Sequence, residues 1–68
     1  VDFRQYWVIQ DRHTGLFLTE ELGFTSLYEK AGRLYDVHQA VDIAQSNIES
    51  YSITSSYEKI DHNESEPY

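Results

Sequence analysis

Asp36-Val37-His38-Gln39-Ala40-Val41-Asp42-Ile43-Ala44-Gln45-Ser46-Asn47-Ile48-Glu49 is the stretch that decides the fold. Val37, Ala40, Val41, Ala44 and Ile48 recur at spacings of three and four, the period of one helix face. Asp36 stands where an N-cap belongs, its carboxylate placed to accept from a first-turn N–H that has no partner of its own. The pattern predicts a helix over residues 37 to about 49. His38, Asp42, Gln45 and Glu49 fall on the opposite, wet face, and Ile43 lies off the centre of the apolar stripe. Ala40 and Ala44 are small, so this helix can lie close against a sheet.

The segments on either side supply that sheet. Residues 51–60 alternate, with Tyr51, Ile53 and Tyr57 on one face and mostly Ser, Thr and Glu on the other, the period of a strand. Arg33-Leu34-Tyr35, just before the helix, reads as a short strand. Further back, Tyr6-Trp7-Val8-Ile9-Gln10 is β-branched and aromatic. Tyr6 and Val8 face one side and Trp7 and Ile9 the other. With both faces apolar, this strand is central, or a helix covers one of its faces. Periodicity leaves open which face takes the helix. Asp11-Arg12-His13-Thr14-Gly15 is a turn signal, and residues 16–19 form the second arm of a β-hairpin. Ser26-Leu27-Tyr28-Glu29 fits a capping box. Thr25 or Ser26 caps the helical turn this predicts, which ends at Ala31 with Gly32 as its left-handed terminal residue. The expected class is α+β: an antiparallel sheet of three to four strands with one main helix on one face, in the order β-β-β-α-β. Residues 1–60 form the domain, and residues 61–68 are expected to be an acidic flexible tail.

Composition limits the chemistry. A domain of 68 residues buries only about 60% of the surface its unfolded chain exposes. There is no Cys, which excludes disulfides, cysteine zinc sites and a thiol nucleophile. One Trp, six Tyr and three Phe offer large buried areas in compensation. Twelve acidic residues against five basic ones give a net charge of −7 at pH 7. That balance argues against direct binding of nucleic acid or an anionic membrane, and favours a basic partner. No apolar run approaches the roughly 20 residues of a membrane span. The start lacks signal-peptide character, so the cytoplasm is the expected compartment.

The chain resembles a class of small acidic phage and prophage accessory proteins. The pieces that carry the resemblance are Tyr6-Trp7-Val8-Ile9, Thr14-Gly15-Leu16-Phe17-Leu18, Lys30-Ala31, Leu34-Tyr35 and the Ala40 to Ala44 stretch. The resemblance implies a protein that binds and blocks host defence or nucleic-acid enzymes, of which anti-CRISPR proteins are the best-known kind.

Candidate sites narrow to surfaces. His38 and Asp42 lie one helical turn apart, but a zinc site needs at least three protein ligands, so no metal or other cofactor is expected. No Gly-flanked nucleophile turn and no Gly-rich phosphate loop occurs, and a cleft of about 300 Å³ is hard to build in so short a chain. No catalytic residue is assigned, and an enzyme is not expected. Asp42 and Glu49, seven residues apart, share a helical face and offer phosphate-like charge to a basic, nucleic-acid-binding host protein. Tyr28, Tyr35, Tyr51 and Tyr57 are too many to bury in so small a core. Tyr28, Tyr35, Asp42, Glu49 and Tyr57 are therefore the expected partner-binding residues. The alternative is a structural or regulatory homodimer without inhibitory role, joined through an exposed edge strand such as residues 16–19 or 51–58.

Overall fold

β1 (Asp2–Asp11), β2 (Phe17–Leu18), β3 (Phe24–Thr25), a 3-10 turn (Tyr28–Lys30), α1 (Val37–Asn47) and β4 (Tyr51–Ile60) follow one another along the chain. This computed structural model describes residues 2–60, and the tail expected at 61–68 lies outside them. The fold is α+β: one antiparallel sheet of order β3-β2-β1-β4 with one main helix, as the sequence predicts. β1 is central. It pairs with β4 without interruption from Asp2↔Ile60 to Asp11↔Tyr51, and with β2 at Gln10↔Phe17. Residues 16–19 therefore do not form an edge, since β3 lies beyond β2.

The two faces of β1 are covered differently. Ile9 packs with Leu18, Ala40, Ala44 and Ile48, and Trp7, Leu34, Ile43, Tyr51 and Ile53 close around them. The helix therefore takes the Trp7/Ile9 face. On the opposite face, Tyr6 and Val8 pack with Ala31 and Phe17. Here the chain leaving the 3-10 turn covers the sheet.

The Asp36 side chain accepts from the His38 N–H at 2.9 Å, as its N-cap position requires. α1 ends at Asn47, two residues earlier than the pattern predicts. Ile48 is already extended, at φ −135° and ψ 132°, and turns its side chain into the core. The buried face is also rotated from the predicted stripe. Ala40 and Ala44 are fully buried and Ile43 packs on the core, whereas Val37 is exposed. Two alanines bring the helix axis close to the sheet, and the larger Ile43 reaches down beside them.

The middle of the chain departs most from the expectations. Thr19 closes a tight turn missing from the sequence reading: its hydroxyl accepts from Gly23 N–H at 3.0 Å and its carbonyl from Leu22 N–H at 3.0 Å. Leu22 pays with a left-handed φ of 66°. The turn creates β3 at Phe24–Thr25, so the third strand lies here and not at residues 33–35. Those residues keep a single bridge, Leu34 to Trp7, with N–H···O bonds of 2.7 and 3.0 Å. The capping box does not form. Leu27 precedes the 3-10 turn without a side-chain cap, and the Thr25 hydroxyl accepts from Leu27 N–H at 3.1 Å. Gly32 is not left-handed; Gly15 alone among the glycines is, at φ 78° in the first turn. Gly32 is required by proximity: a Cβ there would sit 2.9 Å from the Glu20 nitrogen.

Candidate partner-binding surface

Strand alternation assembles a cluster on the sheet face away from α1. Arg4 and Tyr6 of β1 and Ser56 and Glu58 of β4 point to this face, with Arg4 directly opposite Glu58 and Tyr6 opposite Ser56. Leu34 turns its side chain to the helix side, so its neighbours Arg33 and Tyr35 turn to the cluster side. Glu58 is the centre. One carboxylate oxygen accepts from Arg4 Nε at 3.0 Å, from Arg4 Nη2, and from the Tyr35 hydroxyl at 3.0 Å. The other accepts from Arg33 Nη1 at 2.6 Å. The ion pairs of Arg4 and Arg33 converge on it. The hydrogen bonds from Arg4 and then Arg33 hold the Glu58 carboxyl at about 2, against an ordinary 4.5, and raise both guanidinium groups in return.

The rings complete the cluster. Arg4 lies over the Tyr35 ring at 4.1 Å and Arg33 over the Tyr6 ring at 4.6 Å. The Tyr6 and Tyr28 hydroxyls are 3.2 Å apart. That contact lowers the buried Tyr6 phenol and raises Tyr28. Tyr28 also meets Phe17 edge to face, with centroids 5.3 Å apart. Tyr28 and Tyr35 are thus pinned, yet remain 40% and 46% exposed.

The structure unites only two of the five expected partner-binding residues. Tyr28 and Tyr35 share the cluster face. Tyr57 lies on the helix-side face of β4 and is 65% exposed. Asp42 stands exposed on α1, while Glu49 lies beyond the helix end, so they share no helical face. Sequence reasoning missed Arg4, Arg33 and Glu58. The available signal was the alternation of Arg33 and Tyr35 around Leu34, which becomes informative only once β1 is known to pair with β4.

Beside the cluster, an open cleft of about 420 Å³ runs between the Thr19 turn and the 3-10 segment, lined by Glu20, Glu21, Glu29, Lys30, Arg33 and Tyr35 among others. It is larger than expected for so short a chain. Its lining is mostly charged, and its acids Glu20, Glu21 and Glu29 form no ion pair among the described residues. Among the described residues no group of three or more side chains is arranged to hold a metal ion, and no helix is long and apolar enough to cross a membrane. Compared with known proteins, the chain matches no family model, no curated protein and no solved structure.

Proposed function

We propose that this chain is a non-catalytic protein-binding module, a phage- or prophage-type accessory protein that inhibits or modulates a basic host protein in the host cytoplasm. Tyr28 and Tyr35 anchor the contact, and the acidic cleft beside Tyr35 receives Lys or Arg side chains of the partner. The observation that supports this reading is the pinning of two exposed aromatic rings. Each is fixed by a hydroxyl hydrogen bond and a ring contact before any partner arrives. Rings already ordered lose little side-chain entropy on binding, and Tyr is a frequent hot-spot residue. Glu20, Glu21 and Glu29 in the cleft supply attraction for a basic surface.

The test compares proteins retained from host lysate by the wild-type chain and by a folded Tyr28→Ala/Tyr35→Ala variant. A basic protein held by the wild type, lost with the variant and released progressively by salt supports the reading. Retention of the same proteins by both chains, indifferent to salt, overturns it.

A further inference from the structure

The outer edge of β4 stands apart from the Tyr28 and Tyr35 face. Among the described residues no strand lies beside it, since the sheet order ends at β4. The ladder phase fixes what this edge offers. Arg12 N–H bonds Ser50 C=O, so even-numbered backbone groups of the two strands meet each other, and odd-numbered groups of β4 turn outward. On β1 the odd-numbered groups likewise turn away from β4, as the Trp7–Leu34 bridge records. Tyr51, Ile53, Ser55, Tyr57 and Lys59 therefore present N–H and C=O along an edge of 10 residues. Two of the usual guards are missing: the strand has no Pro, and its register with β1 is unbroken by a bulge, while its charged residues, Glu58 and Lys59, stand together near its C-terminal end.

We infer that β4 pairs antiparallel with β4 of a second copy, with Ser55 on the two-fold axis. Ile53 then faces Tyr57 of the second copy, Tyr51 faces Lys59, Ser52 faces Glu58 and Thr54 faces Ser56. Three observations favour a second copy as the occupant. First, this register sets no like charges opposite one another, although the chain carries −7 overall. Glu58 and Lys59 of β4 offset each other, and Glu58 is already held by two arginines. Second, the helix-side face of the ribbon is covered at Tyr51 and Ile53 but bare at Tyr57 and Phe3, which are 65% and 66% exposed. The two-fold axis sets the covered end of one copy beside the bare end of the other. Third, Ile53 against Tyr57 is a favourable β-branched and aromatic cross-strand pair, made twice.

Sedimentation of the purified chain over a concentration series tests this without any host partner. A reversible dimer is expected. Ser55 is exposed, so Ser55→Lys leaves the monomer intact, as circular dichroism verifies, while placing two cations opposite each other. Dimerisation should weaken by roughly tenfold or more. The chain has no Cys, so Ser55→Cys should cross-link to itself under mild oxidation, because directly paired residues lie about 5.5 Å apart at Cα. Thr54→Cys, only diagonal to itself at about 7–8 Å, should not. A wild-type chain that stays monomeric at every concentration, a dimer unmoved by Ser55→Lys, or cross-linking at 54 in preference to 55 each overturns the inference.

Discussion

The β1–β4 ribbon is one ladder with two different ends. At the Asp11/Tyr51 end, Trp7, Ile9, Tyr51 and Ile53 lie with α1 in a dry apolar layer. At the Asp2/Ile60 end, among the described residues, no helix covers the sheet. Phe3 and Tyr57 face water on one side, and on the other Arg4, Arg33, Tyr35 and Glu58 hold strand to strand and strand to loop. The same backbone pattern is thus secured by burial at one end and by charge-assisted hydrogen bonds at the other. Burial is insensitive to pH and weakly sensitive to salt, whereas the charged cluster responds to both. The difference shows how a very small domain holds a ribbon longer than its core can cover.

Truncating the covered end has the largest expected effect. Ile9 is 1% exposed at the centre of the helix-side layer. Ile9→Ala is expected to destabilise by about 2–5 kcal/mol in urea unfolding, a large fraction of the stability of a domain this size. A loss below about 1 kcal/mol would mean that the layer is not what holds the ribbon.

The charged end yields a pH signature. The folded Glu58 carboxyl, at about 2, lies below its ordinary 4.5. Its contribution is therefore fully present above about pH 4.5 and is lost as pH falls through about 2. Glu58→Gln should lower the melting temperature at neutral pH, by less than Ile9→Ala does. It should also narrow the gap to the wild type as pH falls through that window. A gap constant from pH 7 to pH 2 would show that the carboxylate is not held by Arg4 and Arg33.

The smallest effect is expected from the exposed end of the helix-side face. Phe3 shares a strand and a face with Ile9, yet Phe3→Ala should change stability by no more than about 0.5 kcal/mol in dilute solution. A loss comparable to that of Ile9→Ala would show that something covers Phe3 in the folded monomer.

What could be read from the sequence follows the reach of each signal. The period of residues 37–48 and the Asp36 cap are local, so the helix and its start were legible. The alternation in 51–60 gave β4 over its whole length, whereas the two apolar faces at 6–10 gave only the latter part of β1, whose exposed first residues carry no apolar alternation. The Thr19 turn was not legible, because a left-handed Leu22 carries no residue signature; Gly or Asn would have announced it. The Gly32 signal was misread for a related reason. Glycine serves both left-handed backbone and close approach, and only the position of Glu20 decides between them. The Glu58 cluster joins residues 4, 33, 35 and 58, which meet only after β1 and β4 pair, so no local pattern contains it. Tyr28 and Tyr35 were legible as surplus aromatics, but not as rings pinned in place.

The pairing of Asp2 with Ile60 also sets an order of events in time. The hairpin, the Thr19 turn and the helix close over short stretches of chain, whereas the longest ladder joins the first described strand to the last. Closing so long a loop is entropically slow and rewards the chain late. During synthesis β1 leaves the ribosome before β4 and waits for it, with Ile9 lacking the cover of Tyr51 and Ile53. The interval before β4 arrives is the time at which this small protein is most open to capture by a chaperone, a protease or another nascent copy.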